Sequence, residues 1–193
     1  FIHGDFLTAL LTIQVLKANP GSNIVYDLRA SNVVADTVKA HGGVAHMQRV
    51  GHAHIKKMMR DVDAVFAGEV SGHYYFKDNA YMDNGFLPPL MILELLSESN
   101  KTLSEFIADL GDYYVSGEIN SEVAQQDTVF ARLKEKYSDA ALLELDGVSF
   151  TFDDWRFNVR ASNTEPLIRL NLEANSTELM ETKRDEVLAL IRQ

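Results

Sequence analysis

Hydrogen-bond donors of several kinds are gathered in one short stretch near the C-terminal end of the chain. Arg160, Ser162, Asn163 and Thr164 bring together a guanidinium, an amide and two hydroxyls, and Arg169 adds a second guanidinium beyond the turn. Such donors suit a phosphate or a carboxylate group, and the backbone N–H groups of the turn can contribute as well. The stretch therefore predicts an anion site. A polar hairpin with an incidental salt bridge is the alternative, because turns favour Ser and Asn in any case.

A second polar loop follows the apolar run at 64–67. Glu69 and Ser71 are two positions apart, so in an extended loop their side chains project to the same side. A carboxylate and a hydroxyl there can bind the vicinal hydroxyls of a sugar, with a capped turn as the structural alternative. His73 can hold a proton or donate a hydrogen bond near neutral pH, although packing beside Tyr74 and Tyr75 would also explain it.

Helical and strand-like segments alternate in the first part of the chain. The pattern predicts, in order, a helix at 6–16, a strand at 23–26, a helix at 31–41, a strand at 44–48, a helix at 54–60 and a strand at 63–67. Ser31 is the expected N-cap of the second helix. This alternation implies an α/β domain with a parallel sheet and helices on its faces. Further on, we predict an irregular turn at 81–85 and helices ending at 96 and 110, the first with Pro88 and Pro89 in its first turn.

The ends of the predicted strands carry polar residues. Ligands of parallel sheets bind at the carboxyl ends of the strands. Asp27 and Arg29, His52, and Glu69 each come after a predicted strand. We therefore expect these residues at one edge of the sheet, where they would form a ligand site.

The pattern changes around residues 111–117, and we predict a domain boundary there, between domains at 1–110 and 111–193. The second domain reads as strands at 113–115, 148–152, 156–159 and 167–172 and helices at 128–137 and 176–191. Apolar residues alternate with period two in the strands at 148–152 and 167–172. This alternation is typical of an antiparallel sheet with one face covered by helices, so the second domain should be a small α+β domain.

The composition limits the classes of partner. With 193 residues, of which 46% are hydrophobic, the chain can bury one sizeable core or two small ones. A net charge of −10 argues against binding to nucleic acid or to an anionic membrane surface. No apolar run approaches the roughly 20 residues of a membrane span. The absence of cysteine excludes disulfides and thiol catalysis, and we expect a cytoplasmic protein. Because the chain begins with Phe1, we also expect a piece of a longer one.

The two polar loops, found together and in this order, resemble the alpha-D-phosphohexomutase family, in particular its bacterial phosphomannomutase/phosphoglucomutase branch. The sequence GEVSGH at 68–73 is similar to the sugar-binding loop of that family, and RASNTEP at 160–166 to its phosphate-binding loop. The resemblance continues through residues 27–29, 50–52 and the lysine pair at 56–57, and it extends over nearly the whole chain. Val70 and Asn163 favour this branch over the phosphoglucosamine mutases, but they do not decide between glucose and mannose.

The resemblance implies an enzyme that moves a phosphoryl group between the 1- and 6-positions of a hexose phosphate. Four domains, a phosphorylated serine in the first and a Mg2+ loop of three aspartates in the second belong to that family. This chain has neither the serine motif nor the aspartate loop, so it resembles the third and fourth domains alone. Hexose phosphates and the missing N-terminal domains of the same protein are then the implied partners, and the chain alone should be inactive.

The resemblance also implies roles for single residues. Glu69 and Ser71 would hold the sugar, and Arg29 lies where related enzymes often carry a substrate-contacting basic residue, frequently Lys. His73 and His52 would face the ligand and are possible acid/base groups. The non-reacting phosphate would be held by Arg160, Ser162, Asn163, Thr164 and Arg169. We interpret Lys56 and Lys57 as a solvated helix face.

A non-catalytic α/β protein that binds phosphate or another anion remains the alternative. An anion site alone does not require the Glu69 and Ser71 pair, and the combination of both loops therefore favours the mutase.

Overall fold

The chain forms two compact units, each with its own five-stranded sheet. The first unit ends at Asp112 and the second begins at Tyr113. The structure, a computed structural model, describes residues 2–162 and 165–193. Within these residues no helix is both long enough and apolar enough to cross a membrane.

The first unit is an α/β domain. Its elements are α1 (Gly4–Ala18), β1 (Asn23–Asp27), α2 (Asn32–Ala40), β2 (Val44–Gln48), α3 (His52–Asp61), β3 (Phe66–Gly68), β4 (Tyr74–Phe76), a 3-10 turn (Lys77–Asn79), β5 (Met82–Asp83), α4 (Leu87–Ser97) and α5 (Leu103–Asp109). The sheet order is β2-β1-β3-β4-β5. Ser31 caps α2 as expected, because its hydroxyl accepts a hydrogen bond of 3.1 Å from the Val33 N–H.

The predicted parallel sheet is confirmed only in part. Strands β2, β1 and β3 are parallel, whereas β4 and β5 pair antiparallel at the other side of the sheet. The prediction of an irregular turn at 81–85 was wrong, since β5 lies within it. Strands of two or three residues are too short to show a hydrophobic period. The third strand begins at Phe66 and not at Asp63, because Asp63 has a φ of 53°, which ends the preceding turn and cannot continue a strand.

The second unit is the predicted α+β domain with an antiparallel sheet. It contains β6 (Tyr114–Glu122), α6 (Gln126–Lys136), β7 (Ala141–Leu143), β8 (Val148–Thr151), β9 (Trp155–Ala161), β10 (Leu167–Ala174) and α7 (Thr177–Ile191). The order is β6-β10-β9-β8-β7, and every pair is antiparallel. Sequence reasoning missed β7 and most of β6. The polar residues of β6 do not show the apolar alternation that would indicate a strand.

The two faces of this second sheet differ in chemistry. Apolar residues of alternate positions, such as Val159 and Leu170, form a core with residues of α6 and α7. The intervening positions project to the other face. Arg160 and Arg169 are direct register partners there, so two cations of the predicted anion site lie side by side.

Candidate functional site

A cavity of about 400 Å³ lies next to the carboxyl ends of the first unit's parallel strands. Its wall combines residues from the loop after β3, from the start of α3 and from β4 and β5: Gly51, His52, Lys56, Glu69, Ser71, His73, Tyr75 and Asp83. The volume is within the range of small-molecule pockets. Four of the predicted site residues therefore share one cavity, although their roles toward a ligand stay predictions.

Glu69 is held at the base of this cavity by two donors. Its side chain is buried, and Tyr75 donates its hydroxyl to Oε1 at 2.6 Å. The Gly51 N–H, at the N-terminus of α3, donates to Oε2 at 3.4 Å, where the helix dipole favours a negative charge. Burial, together with the Glu69 carboxylate, raises the pKa of the Tyr75 hydroxyl far above its usual range, so Tyr75 stays a donor. A carboxylate accepts about four hydrogen bonds, and Glu69 thus keeps acceptor capacity for a ligand.

Ser71, His73 and Asp83 form a chain of polar contacts along the cavity wall. The Ser71 hydroxyl is 2.9 Å from His73 Nδ1, and His73 Nε2 is 3.9 Å from Asp83 Oδ2. Asp83 is itself fixed, because its Oδ1 accepts the Tyr74 N–H at 3.0 Å. The hydroxyl of Ser71 can donate or accept, depending on the protonation of His73.

Arg29 has a different environment from the one expected. Its guanidinium forms a two-point contact with Asp27, from Nε to Oδ1 at 3.0 Å and from Nη2 to Oδ2 at 2.9 Å. Only 9% of its side chain is exposed, and it does not line the cavity. The same Asp27 accepts the Val70 N–H at 2.8 Å. Asp27 and Arg29 thus anchor the Glu69 loop from below, and a substrate contact of Arg29 stays a prediction.

Sequence reasoning missed three residues of the cavity: Lys56, Tyr75 and Asp83. The interpretation of a solvated helix face holds for Lys57, which pairs with Asp61 at 2.5 Å. It is wrong for Lys56, which is half-buried, lines the cavity and lies 5.6 Å from the centre of the Tyr75 ring. A signal was present, since Lys56 is one helical turn after His52 and shares its face of α3.

The second polar site lies on the outer face of the second unit's sheet. Glu118 on β6 reaches both arginines, with Oε2 3.0 Å from Arg160 Nη2 and Oε1 3.3 Å from Arg169 Nη1. Arg169 Nη2 donates to the Ser162 hydroxyl at 3.4 Å. The predicted contacts of Asn163 and Thr164 lie outside the described residues. Glu118 was not expected, because its strand was not recognised.

Arg160 is nearly enclosed, with 7% of its side chain exposed. The turn at Asp146 and Gly147 lies across β9, and Asn158 Nδ2 donates to the Asp146 carbonyl at 3.0 Å. A Cβ on Gly147 would collide with the Val159 carbonyl oxygen and lie 2.6 Å from the Arg160 Cα. The absence of a side chain at Gly147 is therefore what lets the turn cover Arg160.

A metal site was not predicted for this chain. Within residues 2–162 and 165–193, no three side chains of His, Asp or Glu are grouped so that they could hold an ion. The described residues therefore do not fit a magnesium site.

Comparison with known proteins gives two family matches. Residues 3–114 match the family model for phosphoglucomutase/phosphomannomutase, alpha/beta/alpha domain III, and residues 118–190 match the model for its C-terminal domain. A phosphomannomutase of Methanocaldococcus jannaschii is 44% identical over 190 residues, which are 98% of this chain and 42% of that protein. The chain thus spans less than half the length of this relative.

Solved structures agree in fold. A phosphoglucomutase/phosphomannomutase family protein from Burkholderia thailandensis superimposes with a TM-score of 0.84 at 28% identity, covering 98% of this chain and 41% of that one. N-acetylphosphoglucosamine mutase from Aspergillus fumigatus, solved with GlcNAc-6P and magnesium, gives a TM-score of 0.74 at 16% identity, covering 99% and 47%. The two matched domains fill most of the sequence, and the chain therefore belongs to the phosphoglucomutase/phosphomannomutase family, of which it carries domain III and the C-terminal domain.

Proposed function

We propose that this chain binds a hexose phosphate, as the sugar- and phosphate-binding part of a mutase that moves a phosphoryl group between the 1- and 6-positions. The observation that carries the proposal is the shared cavity of Glu69, Ser71, His73 and His52. Relatives named phosphomannomutase and a solved mutase with bound GlcNAc-6P support the same ligand class.

Glu69 supplies the acceptor for sugar hydroxyls. Its buried carboxylate is aimed by Tyr75 and Gly51, so it is preorganised and loses little entropy on binding. Ser71 completes the pair, because its hydroxyl can act as donor or acceptor. A site of this kind tolerates a ligand that binds in two orientations, as a 1,6-mutase requires, since adjacent hydroxyls are present in both.

Lys56 brings a positive charge to this cavity, and His73 adds ring nitrogens that can donate or accept a hydrogen bond. The Lys56 ammonium lines the same wall and can offset the negative charge of a ligand phosphate. His73 is our candidate for an acid/base group toward a sugar or phosphate oxygen. His52, at the N-terminus of α3, is placed to donate a further hydrogen bond.

The phosphate that does not react would be held by the second unit. Arg169 and Ser162 contact each other beside the described end of the loop, and Arg160 lies beside Arg169 on the neighbouring strand. We propose Asn163 and Thr164 as additional donors from the sequence. By resemblance, a phosphoserine and a magnesium ion outside this chain complete the enzyme. A chain without cysteine suits the reducing cytoplasm, where we propose that the protein acts.

A thermal-shift titration tests the sugar site. Glucose 1-phosphate or mannose 1-phosphate should raise the Tm of the chain more than the same concentration of inorganic phosphate. Ser71→Ala should remove this difference while it keeps the response to phosphate. Ser97→Ala is the matched control, since its hydroxyl is exposed and donates to the Glu94 carbonyl of its own helix.

Two results would contradict the proposal. Equal responses of the unsubstituted chain to sugar phosphate and phosphate would favour a general anion-binding protein. Turnover of hexose phosphate by the purified chain, with contaminating mutase excluded, would show that the phosphoserine motif is not needed.

A further inference from the structure

Glu118 already occupies the two guanidinium groups that the proposed phosphate site offers. Arg160 and Arg169 face each other directly across β9 and β10 on the same side of the sheet. Like charges in this position destabilise a sheet. The Glu118 carboxylate contacts both, at 3.0 Å and 3.3 Å, and it therefore offsets their repulsion.

The arginine pair is not saturated by this contact. Among the described residues, the buried Nε atoms of Arg160 and Arg169 have no hydrogen-bond partner. The folded protein loses stability when buried donors of a charged Arg stay unpaired. Glu165 is exposed, and its carboxylate lies 3.9 Å from Arg169 Nη2. It adds a second negative charge at a longer distance. The contact with Glu118 thus leaves part of the hydrogen-bonding capacity of both guanidinium groups unused.

The carboxylate of Glu118 is also replaceable. Its side chain is 28% exposed, so it can turn toward water without becoming a buried unpaired charge. An incoming anion must then compete with an internal group of charge −1. A monoanion gains little by the exchange, whereas a phosphate monoester brings close to two negative charges above its second pKa of about 6.

We propose that Glu118 is an internal counterion that holds Arg160 and Arg169 in the absence of ligand and lets only dianions occupy the site. The proposal deepens the proposed function and rests on it, since it concerns the same phosphate site. Competition with Glu118 raises the free-energy cost of binding by a similar amount for every anion. Monoanions then bind too weakly to be detected, while phosphate monoesters still bind.

Methyl phosphate and methyl sulfate test this, because they have similar shapes but different charges at pH 8. Both are titrated against the chain by thermal shift and by calorimetry. The unsubstituted chain should bind methyl phosphate and not methyl sulfate. Glu118→Gln should bind both, and methyl phosphate about tenfold more tightly than before, as expected when a charge-assisted contact no longer competes.

Glu135→Gln is the matched control. Glu135 is exposed on α6, the helix that packs on the core face of the sheet, and its substitution changes the net charge by the same amount. This variant should behave as the unsubstituted chain. If Glu118→Gln does not fold without ligand, the selectivity for dianions is tested on the unsubstituted chain by the pH dependence of its binding. Its response to methyl phosphate should fall below pH 6, and methyl sulfate should stay without effect.

The outcomes separate the two proposals. Equal binding of methyl sulfate and methyl phosphate by the unsubstituted chain would overturn the role of Glu118. So would weaker binding of methyl phosphate by Glu118→Gln, which would show that the carboxylate positions the arginines for the ligand. In both cases the phosphate site itself stands. Absence of binding in every variant would overturn the phosphate part of the proposed function as well.

Discussion

Asp27→Asn should destabilise the first unit strongly, although Asp27 lies outside the cavity. The Asp27 side chain is fully buried and accepts four hydrogen bonds, from the N–H, Nε and Nη2 of Arg29 and from the Val70 N–H, all between 2.8 and 3.0 Å. The substitution keeps the shape of the side chain. It removes the charge that compensates Arg29 and turns one acceptor atom into a donor.

The magnitude follows from these contacts. If Oδ2 becomes an amide nitrogen, the contacts with Arg29 Nη2 and the Val70 N–H are lost. Hydrogen bonds to charged groups contribute about 1.5–3 kcal/mol each, which gives roughly 3–6 kcal/mol. Breaking a buried ion pair by removing one partner typically costs about 3–5 kcal/mol. We expect a loss of about 3–5 kcal/mol.

Urea unfolding measures this loss. Far-UV circular dichroism follows both units, whereas the fluorescence of Trp155, the single tryptophan, reports the second unit. A shift seen by dichroism and not by fluorescence locates the loss in the first unit. With a urea dependence of about 1–3 kcal/mol/M, the midpoint should fall by about 1 M or more.

Asp61→Asn is the control, because Asp61 forms an exposed contact with Lys57 one helical turn away. Such pairs contribute about 0.3–0.5 kcal/mol. If Asp27→Asn is within about 1 kcal/mol of this control, the buried ion pair does not anchor the Glu69 loop, and the reasoning is refuted. Faster hydrogen exchange of residues 68–73 in the Asp27→Asn variant would support it.

Two further predictions concern the backbone of the second unit and a buried tyrosine of the first. Gly147→Ala should lower the free energy of unfolding by at least about 2 kcal/mol more than Gly117→Ala, as measured by the fluorescence of Trp155. Both glycines have a φ near 67°. Of the two, only Gly147 has other atoms within 4 Å of an added Cβ. Equal losses would contradict the close approach to β9. Burial raises the pKa of Tyr74 to about 12, above the value near 10 of the unfolded chain. Its contribution to stability is therefore complete below pH 10 and is lost as the pH rises to about 12. Tyr74→Phe should flatten the fall of Tm above pH 10, and an unchanged slope would contradict the shift.

The sequence predicts what depends on neighbours along the chain. The Ser31 cap involves a residue two positions away, and the strands β1 and β2 are long enough to show their pattern. Glu69, Ser71 and His73 were found because they lie in one short loop; the loop is not extended as expected but closes as a turn, with the Gly72 N–H donating to the Glu69 carbonyl, and all three residues line the cavity. The contribution of Tyr75 to the same cavity was missed, since an aromatic residue beside a polar loop is usually interpreted as part of the hydrophobic core.

What depends on distant partners could not be predicted. Glu118 is separated by 42 positions from Arg160, and the polar composition of β6 gives no sign of the strand that brings it there. Lys56 is in the cavity because of the rotation of α3, which is set by the burial of Ile55 and Met59. Strand β4 pairs antiparallel although its residues are all buried, and burial on both faces removes the alternation that would indicate it.

Arg29 and Arg160 looked alike in the sequence, as cations beside a predicted ligand site, but their carboxylate partners differ. Asp27 is fully buried and saturated by four donors, so no ligand can take its place without leaving a charge buried in the protein. Glu118 is partly exposed and shared between two arginines, and in our proposal it exchanges with an anion from solution. On the proposed role of Glu118, burial of the carboxylate, more than the identity of the cation, would separate an arginine that supports a loop from one that binds a phosphate.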